Sequence, residues 1–320
     1  MEGESCKVQG SLAIVLRLSR ALGLAPLHLV RDRRGYIATF SRPAAVYGYI
    51  LAFCTPAPSA LAPLVVKESE TGALNQRIIG GTDADIEDYP FMAFIFISED
   101  GDIFDLNPMC GGSLITSRSV LTAAHCYFDS IKPEYYIVRL GSTFLTSGGH
   151  LHKALNWVVH PEYSPPVLYH DIAIVKLATP AIFSNRVAVA RIAGPNYSIP
   201  DNTTVTATGW GQIYNNGPLS EILQQVDVKK VNHDICRENY AEIYELLEEE
   251  YPTNVTTDMI CAGILDVGGK DACGGDSGGP LLHQGVVIGV TSFGHECALP
   301  NYPGVYIKVP SYTNWIVDNA

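Results

Sequence analysis

Cys273-Gly274-Gly275-Asp276-Ser277-Gly278-Gly279-Pro280 decides how this chain reads. Taken alone, a serine among four glycines is a turn. Two other stretches change that reading. Leu121-Thr122-Ala123-Ala124-His125-Cys126 lies far upstream, and Asp171 opens Asp171-Ile172-Ala173-Ile174-Val175-Lys176-Leu177 between the two. A serine hydroxyl is a poor nucleophile until an imidazole takes its proton. The imidazole serves well only when a carboxylate fixes its tautomer and steadies its cationic form. The order His125, Asp171, Ser277 therefore supplies the parts of an acyl-transfer site.

Gly275-Asp276-Ser277-Gly278-Gly279 also fits the Gly-x-Ser-x-Gly elbow of α/β-hydrolases. That fold places its acid and histidine after the serine. Only His283 and His295 follow Ser277, and repeated strand–helix units are lacking. The order of the three residues instead resembles that of the trypsin-like serine proteases of the chymotrypsin fold. Arg77-Ile78-Ile79-Gly80-Gly81, Cys110-Gly111-Gly112-Ser113-Leu114, Gly209-Trp210-Gly211 and Pro303-Gly304-Val305-Tyr306 extend the resemblance over residues 78–320. Three catalytic-region disulfides and a short activation peptide make the chain similar to arthropod digestive trypsins.

The pattern after Ile78 is one of short strands separated by turn signals. Candidate strands are 91–97, 135–140, 172–177, 203–208, 223–231, 286–291 and 305–308, many of them β-branched or aromatic and bounded by Gly, Pro or Asn. Regular short strands without intervening helices indicate an all-β barrel or sandwich. The resemblance implies two six-stranded antiparallel β-barrels, with the active site in the cleft between them and a C-terminal helix over 312–319. A second helix is expected at 237–250 (RENYAEIYELLEEE), where Tyr240, Ile243, Tyr244 and Leu247 form an apolar stripe on an acidic segment. That stripe reads first as the packed face of a surface helix, and second as an acidic wall near the outer subsites.

The chain of 320 residues carries 21 Lys/Arg and 33 Asp/Glu. Residues 1–77 hold nine basic and five acidic residues, which leaves 12 basic and 28 acidic in the catalytic region. Such a surface is a poor partner for nucleic acid. It attracts cationic substrates, mostly at low salt. Six of the eight cysteines lie in the catalytic region, and six allow 15 pairings. The resemblance selects Cys110–Cys126, Cys236–Cys261 and Cys273–Cys297. No Cys-x-x-Cys pair marks a zinc site. The segment 141–156, where many trypsins hold calcium, contains no Asp or Glu, so neither a metal nor another cofactor is expected. Disulfides and three sequons, at Asn196, Asn202 and Asn254, point to a secreted, extracellular glycoprotein.

Residues 1–62 read as a leader rather than a folded domain. The apolar run 44–53 (AAVYGYILAF) and the small residues after it, within 42–62, have the shape of a signal peptide displaced from Met1. Residues 1–42 are accordingly read as a mis-joined or unusual extension, and no membrane span is expected. Residues 63–77 read as an activation peptide. By resemblance, cutting after Arg77 frees the Ile78 amine, which buries itself against Asp276 and orders the loop that carries Gly275 and Ser277.

The resemblance also assigns the site. Ser277 attacks the scissile carbonyl, His125 shuttles the proton, and Asp171 orients His125. The N–H groups of Gly275 and Ser277 form the oxyanion hole. Asp271 lies at the base of the pocket for the residue before the cut, with Ala272, Ser292, Phe293, Gly294 and Gly304 as further substrate-binding residues. A desolvated carboxylate selects Arg or Lys and rejects Phe. Ala272 stands where many trypsins have Ser, Gly274 where Gln is usual, Phe293 for Trp and Glu296 for Gly. The missing hydroxyl at 272 predicts a preference for Arg over Lys. The implied function is a monomeric, secreted digestive endopeptidase made as a zymogen. Its implied partners are protein and peptide substrates, protein protease inhibitors and an activating trypsin-like protease. A regulatory protease of narrow specificity and a non-catalytic binding homologue are the competing readings. The complete triad weighs against the binding homologue.

Overall fold

The computed structural model describes residues 28–32, 35–39, 79–99, 101–103, 105–246 and 254–320. The chain divides into two compact units, Met1–Thr71 and Gly72–Ala320. In the first, β1 (His28–Asp32) pairs antiparallel with β2 (Gly35–Thr39), His28 opposite Thr39. No strand is expected there from the sequence, but Val30, Tyr36, Ile37 and Thr39 are good strand formers. The run 44–53, the activation segment 63–77 and Ile78 lie outside the described residues.

The second unit opens with the short β3 (Thr82–Asp83). A closed antiparallel barrel follows, from β4 (Met92–Ile97), β5 (Asn107–Thr116), β6 (Ser119–Thr122), β7 (Tyr136–Leu140), β8 (His150–Val159) and β9 (Ala173–Leu177). Its ring order is β4-β5-β6-β9-β8-β7. After β10 (Arg191–Ile192) come β11 (Thr204–Gly209), β12 (Gln224–Lys230), β13 (Met259–Gly263), β14 (Pro280–His283), β15 (Val286–Phe293) and β16 (Gly304–Lys308). These last six form a second antiparallel ring, β15-β14-β11-β12-β13-β16, closed by the pairing of β15 with β16. β10 adds to β15 in parallel and β3 to β12 antiparallel. The two-barrel architecture is the one the family resemblance implies, and each candidate strand is present within two residues of its expected ends.

Strands that the sequence did not announce are instructive. β5 carries Gly111 and Gly112 in mid-strand, where glycine weakens strand propensity. Both are required by close approach. A Cβ on Gly112 would lie 2.7 Å from Val120 Cγ1, and one on Gly111 would lie 3.1 Å from Gly279 Cα in the other barrel. β14 begins at Pro280, a position where a missing N–H is tolerated.

The barrels share a core. Trp210, 3% exposed, sets its ring edge-on to Phe94 at 5.8 Å and donates from its indole N–H to Thr143 O at 3.0 Å. Two helices complete the unit, α1 (His233–Leu246) and α2 (Val309–Asn319). α1 starts four residues before its expected position because Asn232 caps it. The Asn232 side-chain oxygen accepts from Asp234 N–H at 3.0 Å and Ile235 N–H at 3.3 Å. Tyr240 is fully buried, Ile243 and Tyr244 are half-buried, and Glu238, Glu242 and Glu245 face solvent. The helix thus packs through the predicted stripe, of which Leu247 lies outside the described residues. α2 begins at Val309 rather than 312, since Pro310 suits a first helical turn, and it buries Tyr312, Thr313 and Ile316. The disulfides are Cys110–Cys126, Cys236–Cys261 and Cys273–Cys297, the pairing the resemblance implies. Bridges of this kind contribute roughly 2–4 kcal/mol each.

Candidate active site

The first barrel brings His125 and Asp171 together through one pair of strands. β6 and β9 run antiparallel with Thr122 opposite Ala173. His125 leaves β6 in a single 3-10 turn (Ala124–Cys126), and Asp171 lies two residues before β9. Both therefore emerge at the same end of the pair. His125 Nδ1 lies 2.7 Å from Asp171 Oδ2, and His125 N–H donates to Asp171 Oδ1 at 2.8 Å. Asp171 is completely buried. A third donor, the Ser292 hydroxyl from β15 of the second barrel, reaches Asp171 Oδ2 at 2.5 Å. These three donors replace the water that burial removes from the carboxylate. With Nδ1–H directed at Asp171, the neutral imidazole keeps its lone pair on Nε2, the form that accepts a proton. Tyr163 stands nearby, its phenol pushed up to about 12 by burial and by the charge of Asp171.

Ser277 is presented by the second barrel and anchored to the first. Its carbonyl accepts from Gly111 N–H at 2.7 Å, and Gly111 neighbours Cys110, which is bridged to Cys126 beside His125. The next residue, Gly278, has φ +78°, and a Cβ there would lie 2.1 Å from Thr122 Oγ1 and 3.0 Å from Ala123 N. The Ser277 loop thus seats directly on the residues that lead into His125. Within that loop, Asp276 N–H donates to Cys273 O, Gly278 N–H to Thr291 O and Gly279 N–H to Asp276 O. The N–H groups of Gly275 and Ser277 take no partner among the described residues. Gly275 has φ +93°, and a Cβ there would lie 2.5 Å from Leu219 Cδ2. Position 275 therefore admits only glycine.

Asp276 lies beneath this loop, 2% exposed. Its Oδ1 accepts from Gly211 N–H at 2.8 Å and its Oδ2 from Cys273 N–H at 2.9 Å. Burial pushes its carboxyl up to about 6, against the pull of these two donors. The Gly209-Trp210-Gly211 motif gains its physical reason here. A Cβ on either glycine would fall 2.1–2.2 Å from an Asp276 oxygen. Ile79, the first described residue of the catalytic unit, docks on the neighbouring segment through Asp271 N–H to Ile79 O at 3.2 Å. Arg77 and Ile78 lie outside the described residues.

Asp271 is 2% exposed. Oδ2 accepts from Ala298 N–H at 3.0 Å, while Oδ1 has no hydrogen-bond partner among the described residues. Burial pushes the carboxyl up to about 7. Gly304 faces the free oxygen, and a Cβ there would lie 2.8 Å from Oδ1. Gly294 is exposed, and a Cβ there would meet Glu296 O only at 3.4 Å. Ala272 is buried beside Asp271. Phe293 is half-buried, edge-on to Tyr240 at 5.7 Å. Glu296 is exposed with φ +53°, a conformation its usual glycine adopts without strain. Two tyrosines have roles beside Asp271 that the sequence reading did not give them. The Tyr240 hydroxyl donates to Pro303 O at 2.9 Å and accepts from His295 N–H at 3.2 Å, tying α1 to the residue after Gly294 and the residue before Gly304. Tyr306 is fully buried, its hydroxyl without a hydrogen-bond partner among the described residues and its pKa raised by burial. Ser292 was expected among the substrate-binding residues, and its hydroxyl also bonds Asp171. No sequence signal beyond its place on a β-branched strand could have revealed that contact.

The "Trypsin" family model matches residues 78–316. The chain is similar to "Trypsin, alkaline C" of Manduca sexta, 46% identical over 246 residues, covering 77% of this chain and 91% of that one. It is also similar to "Trypsin CFT-1" of Choristoneura fumiferana, 40% identical over 77% of this chain and 91% of the other. "Vitellin-degrading protease" of Bombyx mori is 38% identical, over 76% and 85% respectively. The match spans both barrels and the loop that carries Ser277. The chain belongs to the trypsin family of serine endopeptidases.

Proposed function

We propose that this endopeptidase cuts after Arg, and less well after Lys, in protein substrates. The observation that carries this is Oδ1 of Asp271, buried, faced by a glycine and without a hydrogen-bond partner among the described residues. A guanidinium entering the pocket supplies the missing donors and the counter-charge. An apolar side chain leaves the oxygen unpaired, which costs about 3–5 kcal/mol for a buried charge. His125, Asp171 and Ser277 take the roles of base, orienting acid and nucleophile. The free N–H groups of Gly275 and Ser277 stabilise the oxyanion, one such donor being worth about 3 kcal/mol in the transition state.

The enzyme is made as a zymogen and cut after Arg77 by a trypsin-like protease. In support, Ile79 is held against Asp271, and buried Asp276 accepts only neutral N–H groups among the described residues. An Ile78 ammonium supplies the charge that such a carboxylate lacks. Secretion is supported by the three disulfides. No helix among the described residues is long and apolar enough to cross a membrane. A digestive role, with protein inhibitors as natural ligands of a monomeric enzyme, rests on the trypsin relatives.

Hydrolysis of matched Arg, Lys and Phe peptide amides, before and after controlled cleavage at Arg77, tests the reading. Activity on Arg well above Phe, present only after cleavage and absent from Ser277→Ala, is expected. Equal turnover of Arg and Phe substrates would reject the assignment of Asp271.

A further inference from the structure

The segment leading to Asp171 carries a cluster that the acyl-transfer chemistry does not use. His160, Glu162 and His170 each offer one ligand atom, and these atoms all lie within 4.8 Å of one another. The two imidazoles stack with centroids 5.1 Å apart and planes inclined by 16°. Glu162 is exposed and both histidines are half-buried, so the cluster opens to solvent.

The surrounding hydrogen bonds prepare His170 as a ligand. The Tyr312 hydroxyl donates to Asp258 Oδ2 and lies 2.8 Å from His170 Nδ1. Its one hydrogen is thereby committed, so it accepts from His170 Nδ1–H. The ring is held in the tautomer whose Nε2 lone pair is free. A carboxylate acting on the far nitrogen of a histidine, here relayed by a tyrosine, is the arrangement that orients metal-binding imidazoles. His160 Nδ1 accepts from Glu162 N–H at 3.3 Å, a long surface bond that is readily given up. Two imidazoles and one carboxylate, with room for water, match the donor set of zinc-type ions rather than calcium.

We propose that His160, Glu162 and His170 form an inhibitory site for a divalent transition-metal ion of the zinc type. The coupling to catalysis is covalent, since His170 immediately precedes Asp171. His170 has φ +53°, His160 N–H donates to Ile172 O, and Ile172 N–H donates to His170 O. The Asp171 backbone is thus framed by the two histidine ligands. Tetrahedral ligation at about 2.0–2.2 Å per bond requires the ligand atoms to close to about 3.5 Å. That closure draws His170 towards Glu162 and shifts the peptide it shares with Asp171. The carboxylate that holds His125 then moves, and a misplacement of about 1 Å costs on the order of 100-fold in rate. The ion's positive charge acts in the same direction, because it opposes the imidazolium formed when His125 takes the serine proton.

The test adds zinc chloride to the activated enzyme and follows hydrolysis of a labelled protein substrate. Calorimetric titration of zinc into the Ser277→Ala protein reads binding alone. Wild type should bind one ion and lose at least about tenfold in kcat, restored by EDTA. Glu162→Gln should keep its metal-free activity and weaken zinc binding and inhibition together. His170→Asn, whose side chain tolerates the left-handed backbone, should abolish both. Tyr312→Phe should weaken affinity about 10–100-fold without removing a ligand. Absence of binding, or binding with an unchanged rate, would overturn the proposal. So would inhibition that persists at full strength in His170→Asn, which would place the ion on His125 instead.

Discussion

The Ser292 hydroxyl and the His125 ring meet on one oxygen of Asp171. Oδ2 lies 2.5 Å from Ser292 Oγ and 2.7 Å from His125 Nδ1. The two partners come from different barrels, so the carboxylate is positioned by the docking of one barrel on the other. A hydrogen bond to a buried charge is worth about 1.5–3 kcal/mol. Ser292→Ala should therefore lower kcat by about 10–100-fold with little change in KM. Asp171→Asn should cost about 10⁴-fold, since it also removes the partner that sets the His125 tautomer. Steady-state kinetics that separate kcat from KM check both.

Asp271, the residue proposed to set specificity, also bears on stability. Its carboxyl is raised from 3.8 to about 7 by burial. A carboxyl with a raised folded pKa holds more protons folded than unfolded between those values. Its contribution to stability therefore falls as pH rises from about 4 to about 7, and is lowest above 7. Asp271→Asn removes that decline, so it should raise Tm at pH 8 while lowering kcat/KM for Arg substrates by about 10²–10³-fold. In the unsubstituted enzyme, KM for Arg substrates should rise as pH falls through about 7. Thermal unfolding from pH 4 to 8, in a Ser277→Ala background, compares the two proteins. Parallel curves would refute the argument.

The two glycines of the pocket are not equivalent. A methyl at Gly304 intrudes to 2.8 Å from Asp271 Oδ1, whereas one at Gly294 meets its nearest neighbour at 3.4 Å. Gly304→Ala should abolish cleavage after Arg and Lys, and Gly294→Ala should retain measurable turnover. The ranking is read from kcat/KM on one Arg amide.

Ala272 is buried next to Asp271 and offers no hydroxyl. A lysine ammonium is compact and needs several donor–acceptor contacts, while a guanidinium pairs with a carboxylate through two bonds. Matched substrates should show Arg preferred over Lys, and Ala272→Ser should narrow the ratio by raising Lys turnover. Equal kcat/KM for the two substrates in the unsubstituted enzyme would reject this account.

Activation is testable at Arg77 and at Asp276. Arg77→Gln should resist trypsin-type cleavage and stay inactive. Asp276→Asn should be cleaved normally, as shown by Ile78 at the new N-terminus, and still lose activity by orders of magnitude. Its amide cannot balance an ammonium, and its single oxygen can accept from only one of the two N–H groups, Gly211 or Cys273, that the carboxylate takes on separate oxygens.

Much of the molecule was legible in the chain because its signals are local. β-branched runs between turn residues marked seven strands, and the apolar stripe at Tyr240, Ile243 and Tyr244 marked the inner face of α1. Glycine-rich strands were illegible, because Gly111 and Gly112 owe their place to approach distances set by Val120 and the second barrel. The order His125, Asp171, Ser277 and the residue types around it determined the chemistry, since acyl transfer needs those groups whatever scaffold holds them. Tertiary structure alone decided that Ser292 bonds Asp171, that one oxygen of Asp271 has no hydrogen-bond partner among the described residues, and that His160, Glu162 and His170 converge. Each of these depends on residues brought together by barrel closure and barrel docking, and no spacing along the chain encodes such contacts.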